Sequence, residues 1–399
     1  RHRPHRLRVA RVAGPIAVVG RAVVRGRQRG DAGGRVVDTL AAGFCIRVPA
    51  MPPFRLVVTC RTVRTPHRLI ALLAACLLAS CAQTQVDPGE PAMNSELELR
   101  AVAWDESRLD RLRDAMPELL RTHGVSGAAI GFVGDGRLQW AEGFGTSTAG
   151  VAISADSLFS AAGLREPVIA ALALALARQS SWSLHSPLAD VAPQATDWGP
   201  VARLTPRQLL SHTAGLAARS TAPTPSYDAA PGAWQPSGAG YDLLVRTLEA
   251  GQNMPLPLLA AEQLFAAAGM SDSRFDAAGN LVTSARDYAK FLQWLLSPER
   301  EAATLATLLG VQTTVARQQG LYWGLGWGLE RRADTGLTAF HWGADPRFVH
   351  LALLDPVRRR ALVVLTNAEN GLGLLADAVA ILDEEPHTLF DFDTDGAEQ

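Results

Sequence analysis

Strand patterns stand at the two ends of the main body of this chain, and helical patterns fill the space between them. Gly124–Val133 and Arg137–Phe144 are largely apolar runs around Gly134-Asp135-Gly136, and Asp-Gly at such a turn predicts a hairpin. Further strand patterns cover Tyr322–Glu330, Leu337–His341, Phe348–Leu354 and Ala361–Thr366. From 180 to 300 the patterns are short and helical, broken by Pro and Gly. Helices are also predicted over Glu106–Thr122 and Leu374–Leu382, and Pro167–Ala177 is apolar nearly all round, as a core helix is. Strands far apart in sequence must share a sheet to bury their faces. The expected class is therefore α/β (α+β): an antiparallel sheet built from both ends, flanked by helices, with an inserted, mainly helical subdomain at about 180–300. At 399 residues the chain is long enough for this.

Charge narrows the function. Residues 1–68 hold fifteen Arg and two Asp, whereas residues 69–399 hold 23 basic and 37 acidic residues. A body this acidic argues against a nucleic-acid partner. All four cysteines lie at or before Cys81, so the rest of the chain has no disulfide, no cysteine metal ligand and no thiol nucleophile.

The N-terminal part reads as an export segment. Leu69–Ala79 is an eleven-residue apolar run, short for a membrane span, preceded by Arg61, Arg64 and Arg68. It closes on Leu78-Ala79-Ser80-Cys81, which resembles the bacterial lipobox. That resemblance implies cleavage before Cys81 and lipidation of its thiol. The expected arrangement is a signal region at 51–81 and a polar tether at 82–105. A folded domain at 106–382 and an acidic tail at 383–399 complete it; the tail has seven acidic residues, no Lys or Arg, and is expected to be disordered. Residues 1–50 are Arg-rich and without period. They are either a basic arm or lie upstream of the true start at Met51, and the second reading is preferred because an exported protein carries its signal at its N-terminus.

Several stretches resemble one family. They are Leu204-Thr205-Pro206-Arg207-Gln208-Leu209-Leu210-Ser211-His212-Thr213-Ala214-Gly215-Leu216, Pro231-Gly232 with Gly240-Tyr241-Asp242-Leu243-Leu244, and Ala268-Gly269-Met270. Gly279-Asn280-Leu281 with Ala285-Arg286-Asp287 and Phe291, then Gly324-Leu325-Gly326-Trp327, His341-Trp342-Gly343, Asp355-Pro356 and Val364-Leu365-Thr366-Asn367, follow in order. Together they resemble the serine β-lactamase and penicillin-binding-protein superfamily, in its esterase and peptidase branch. The resemblance covers about 106–382 and implies a site between the sheet and the helical subdomain.

The family's acyl transfer needs a serine at the start of a core helix and a lysine three residues on, one turn away on the same face. A second motif brings a Tyr and an Asn, and a third brings Lys-Thr-Gly or His-x-Gly. Laid on this chain, the nucleophile falls on Gly163 and the lysine on Glu166, in Phe159-Ser160-Ala161-Ala162-Gly163-Leu164-Arg165-Glu166-Pro167. The second motif falls on Pro236-Ser237-Gly238, and only His341-Trp342-Gly343 is intact. One count is independent of the family. The chain has a single lysine, Lys290, and the residue three before it is Asp287, so no register yields Ser-x-x-Lys.

The resemblance thus implies a serine-hydrolase homologue whose usual mechanism is absent. The first expectation is a non-catalytic envelope lipoprotein, periplasm-facing with the outer membrane preferred. It would use Glu166, Ser237, His341, Trp342 and Gly343 to hold a peptidoglycan-like fragment, a small ester or amide, or an envelope protein. A second is an active hydrolase with a rearranged site, in which Ser160 or Ser237 attacks with His341 as base and Glu166 as its orienting acid. A third is a structural factor with a filled cleft. Against the second, Ser160 would end a strand or cap a helix, Ser237 would be a loop residue, and Glu166 and His341 would simply pair. Glycine at 163 would let a backbone or a ligand approach closely. No cofactor or metal is expected, since only two ligands suggest themselves. His212 reads as a packing and hydrogen-bonding residue, Trp323 and Trp327 as strand core, and Trp234 and Trp342 as cleft lining or core.

Overall fold

The computed structural model describes residues 106–391 except 223, 299–300, 333–335 and 384. The segments 1–50, 51–81 with Cys81, 82–105, and the tail from 392 lie outside the described residues. Helix α1 (Glu106–His123) leads into the hairpin β1 (Gly127–Gly134) and β2 (Arg137–Gly145), which turns at Asp135-Gly136 as expected. β3 (Phe159–Ser160) and α2 (Arg165–Gln179) follow. The middle of the chain holds α3 (Pro206–Leu210), α4 (Gly238–Gln252), β4 (Arg274–Phe275), β5 (Leu281–Thr283) and α5 (Ala285–Leu295), with shorter turns between. The chain then adds β6 (Thr313–Ala316), β7 (Leu321–Trp323), β8 (Gly328–Arg332), β9 (Gly336–Asp345), β10 (Phe348–Asp355), β11 (Arg360–Thr366) and α6 (Gly371–Leu382).

Eight strands form one antiparallel sheet in the order β2-β1-β11-β10-β9-β8-β7-β6, so the two ends of the domain meet at β1 and β11. Alternation along the central strands explains why these runs look apolar throughout. Ala129, Val133, Val363, Leu365, Ala352 and Leu354 face the core shared with α2 and α5. Their neighbours Ile130, Phe132, Leu362, Val364, Leu351 and Leu353 face a second core closed by α1 and α6. A strand with helices on both faces buries both sets of side chains, each large one contributing about 1.5–3 kcal/mol.

Two expectations need correction, and the mainly helical insertion holds with one addition. Tyr322–Glu330 is not one strand but two. The chain turns over at Gly324–Trp327, where Gly326 takes φ +74° and its N–H is held by Leu210 O at 2.9 Å. A β-carbon there would meet that of Ala170 at 2.6 Å, so the turn needs glycine. The inserted region is helical for the most part, but β4 and β5 pair with β3 in a small three-stranded sheet of their own. Finally, the described part of the acidic tail is ordered up to Asp391. Its carboxylate at Asp383 pairs with Arg332 (3.1 Å), while His387 Nδ1 lies 2.6 Å from the buried Glu330. Thr388 donates to Glu330 from both its N–H and its hydroxyl, and Leu389 is buried. Buried partners on β8, invisible in a run of acidic residues, are what order it.

Candidate functional site

The chain enters the candidate site through a rigid approach. Ser160 ends β3, Ala162 takes φ +46°, and Gly163 sits in the 3-10 turn Ala162–Leu164 that leads into α2. Ala161 N–H donates to Leu281 O (2.8 Å), and Tyr288 OH donates to Leu164 O (3.0 Å). His350, fully buried on β10, donates from Nε2 to Ser160 O (2.9 Å) and accepts at Nδ1 from Thr366 N–H (3.1 Å). A backbone N–H at Nδ1 and a carbonyl at Nε2 leave this ring only its neutral Nε2–H form. Burial pushes its pKa down to about 4.

The space beside Gly163 is taken. A β-carbon built on it would lie 2.4 Å from the Trp342 carbonyl oxygen and 3.3 Å from His341 Cε1. Backbone cannot swing aside as a side-chain tip does, so β9 itself occupies the room a side chain at 163 would need. Gly343 is pressed the same way against Ala161 O, at 2.4 Å. The close approach of backbone that glycine permits at 163 is thus realised by β9.

Glu166 lies in the first turn of α2, where the helix N-terminus favours an anion, and its residue is 8% exposed. Its Oε2 faces two imidazoles, His212 Nε2 at 3.1 Å and His341 Nε2 at 3.2 Å. His212 sits after α3 with φ +56°, and its Nδ1 accepts from Ser237 N–H at 3.1 Å. Its proton is therefore on Nε2 and points at the carboxylate. His341 Nδ1 lies 2.8 Å from Trp342 O, a carbonyl that only accepts. Both nitrogens of His341 thus face acceptors. Burial alone would raise the Glu166 carboxyl, but the charge and hydrogen bonds of His212 and His341 more than offset it and hold it well below the usual carboxylate range.

The serines do not enter this network. Ser237 is buried, donates from Oγ to Ala217 O (2.6 Å) and accepts from Gly240 N–H (2.9 Å), capping α4. Ser160 is exposed at the strand end. Neither hydroxyl bonds to His341, whose two nitrogens are spent on Glu166 and Trp342 O. Pro236 is half-buried in the capping loop and Gly238 begins α4. Lys290 pairs with Asp287 at 2.9 Å on α5. The Glu166, His212 and His341 trio is not a metal-ligand set either. A metal on His212 Nε2 would displace the proton that Ser237 N–H keeps there, and no group of three such side chains among the described residues is arranged to hold an ion.

Of the two places open to Trp342 the structure takes the core, and Trp323 is the buried strand residue expected. Trp342 packs edge-on against Phe390 at 5.5 Å in the core beside α1 and α6, because alternation along β9 sends it to the face opposite His341. Only its carbonyl reaches the site. Trp323 stands beside the trio instead, 5.1 Å from His212, 5.6 Å from His341 and 5.4 Å from Trp234, ring centre to ring centre. Tyr241 lies 5.2 Å from His212, and its hydroxyl donates to Leu210 O (2.9 Å). Burial and the nearby Glu166 charge push that phenol well above its ordinary value, so it is no proton carrier. Trp327 is fully buried core. His212 is thus the packing and hydrogen-bonding residue expected from the sequence, and its place beside Glu166 is what residue-by-residue reading did not give. The signal for it was Glu166 itself, since an acid on the buried side of a core helix requires donors.

A long antiparallel sheet with helices on both faces and a helical insertion, meeting at a cleft beside the start of a core helix, is the architecture of the β-lactamase and transpeptidase class. The family model described as Beta-lactamase matches residues 112–278 and 261–384, and the chain belongs to that family. Solved structures share the fold. "Crystal structure of SurE with D-Leu" is 22% identical with a TM-score of 0.61, over 70% of this chain and 76% of that one. A β-lactamase/D-alanine carboxypeptidase from Pseudomonas syringae is 15% identical with a TM-score of 0.61, over 70% of this chain and 100% of that one. The octameric penicillin-binding protein homologue from Pyrococcus abyssi is 16% identical with a TM-score of 0.59, over 70% and 78%. No curated protein matches the chain.

Proposed function

We propose that this chain is a non-hydrolytic member of the β-lactamase family, tethered by lipid at Cys81 in the bacterial envelope, that holds an amide- or peptide-bearing ligand of peptidoglycan type in the family cleft. One observation carries the loss of hydrolysis: the Trp342 carbonyl lies where a side chain at 163 would have to stand. A nucleophile needs a hydroxyl or thiol beside a base, and Gly163 has neither the atom nor the room. The relatives solved as a D-alanine carboxypeptidase and with D-Leu support a ligand of amino-acid or peptide character.

The test is the intact mass of the full chain after incubation with a fluorophosphonate and, separately, with a broad penicillin. No added mass is expected from folded protein. An adduct on Ser160 or Ser237 would identify a replacement nucleophile and overturn the reading. The tether rests on Leu78-Ala79-Ser80-Cys81 after the basic and apolar run. No helix among the described residues is long and apolar enough to cross a membrane. Cys81→Ser is expected to move the protein from the membrane to the soluble fraction of the periplasm; unchanged membrane association would remove the lipid from the account.

A further inference from the structure

Residues 385–391 follow α6 and return to β8, where one buried ring holds them. His387 Nδ1 lies 2.6 Å from Glu330 Oε2 on β8, and its Nε2 lies 3.3 Å from Asp383 Oδ2 at the end of α6. An ionised carboxylate only accepts, so the ring serves both partners when both of its nitrogens carry a proton. Burial opposes that charge, as does Arg332, but the hydrogen bonds of Asp383 and Glu330 and the Glu330 charge outweigh both and lift His387 above its ordinary value. Burial alone would raise the two carboxyls, yet His387 holds both below theirs, helped by Thr388 and Arg332 at Glu330 and by Arg332 at Asp383. The other charges near the ring are Arg332, bonded to Asp383, Glu385 and Pro386 O, and Arg360 on β11, whose charge acts on Asp383. Past the ring, Thr388 and Leu389 donate their N–H groups to Glu330 Oε1, Leu389 is buried, and Phe390 packs edge-on against Trp342. Trp342 is the residue whose carbonyl fills the place beside Gly163, so this segment braces β9 from the face opposite the site.

We propose that residues 385–391 are a pH-sensitive strap. His387, clamped as an imidazolium between Glu330 and Asp383, locks them to β8 in mildly acidic surroundings, and its deprotonation frees them and withdraws Phe390 from Trp342. A neutral ring keeps only one N–H, so one of the two carboxylates then faces a nitrogen lone pair in a buried place. The docked strap holds the His387 proton more tightly than an undocked one. The lock is therefore complete below about 6.5 and is lost as pH rises through the higher docked value. Glu330 and Asp383 set an acid limit in the opposite sense. Their contribution is present above about 4.5 and fails as protonation reaches their lowered values. The strap is tightest between about 4.5 and about 6.5.

Amide hydrogen exchange on the full chain reads the lock, as protection factors corrected for the intrinsic pH dependence of exchange. The Thr388 and Leu389 amides are expected to lose at least about tenfold in protection between about pH 5.5 and about pH 9, while those of β10 and β11 lose none. His387→Gln supplies an uncharged polar side chain that does not titrate. It is expected to start at the lower protection and to show no step, while remaining folded by circular dichroism. Equal protection of Thr388 and Leu389 at the two pH values, a parallel loss in β10 and β11, or an undiminished step in the glutamine variant would each overturn the proposal. Wild-type protein alone decides the first two.

Discussion

Glu166→Ala is expected to lower the unfolding free energy by about 3–5 kcal/mol, because it removes one member of a buried charged network and strands the others. His212 Nε2 and His341 Nε2 both point at Glu166 Oε2, at 3.1 and 3.2 Å, and both rings are buried. The three residues come from α2, the loop after α3, and β9, so the network joins the sheet to the helical region across the cleft. Denaturant unfolding measures the loss, and a variant within about 1 kcal/mol of the wild type would show that the network is incidental. The same geometry predicts the outcome of placing a serine and a lysine at 163 and 166. Gly163→Ser with Glu166→Lys sets a serine β-carbon 2.4 Å from a carbonyl oxygen and a third nitrogen donor against two imidazoles. No turnover of a chromogenic cephalosporin is expected, and stability falls further by about 1–3 kcal/mol for the overpacking alone. Measurable hydrolysis would mean that β9 yields easily and that the close approach at Gly163 does not exclude a serine there.

His350 gives the second large effect, in its pH dependence. Burial holds this imidazole at about 4 in the folded chain, against an unfolded value near 6.5. Because the folded pKa is the lower, the unfolded chain binds the extra proton first as pH falls. Stability from this group is complete above about 6.5 and is lost progressively down to about 4, a loss on the order of 3 kcal/mol. The structural cause is burial, to which Thr366 N–H adds because it donates to Nδ1 and a doubly protonated ring has no lone pair there, whereas Ser160 O accepts from Nε2–H in either form. The ring resonances of His350 are expected to hold still from pH 8 to 5 and to move near 4. A midpoint at 6.5 or above would refute this. His350→Gln should flatten the stability profile over the same interval, by the contribution of one proton.

These effects also show where reading residues in order stops being enough. The hairpin at Asp135-Gly136, the core helix after Gly163, and the strands β9 to β11 follow from local periods and turn chemistry, and they stand where expected. The identities at Gly163, Glu166, Pro236 and Gly238 were equally legible, because the flanking segments align on residues close in sequence. The break between β7 and β8 was harder. Gly324-Leu325-Gly326 continues the apolar pattern, and only the contacts of Gly326 with Leu210 and Ala170 make the turn. The tail misled for the same reason. Its charge suggests disorder, but Glu330 and Arg332 on β8 supply buried partners to the tail's own His387 and Asp383.

By itself the sequence determined that no Ser-x-x-Lys pair is present. A lone Lys290 with Asp287 three residues before it admits no Ser-x-x-Lys pair, and glycine at 163 offers no atom to attack with. Those conclusions need only residue identity and spacing, which a linear chain displays. Tertiary structure alone decided what stands around Gly163 and Glu166: the Trp342 carbonyl against Gly163, two imidazoles on one oxygen of Glu166, and Trp323 rather than Trp342 at its side. Those contacts join residues up to 179 positions apart, between Gly163 and Trp342. No local period encodes such a meeting. It follows from how a sheet built from both ends of the domain packs against the helix that begins at Arg165.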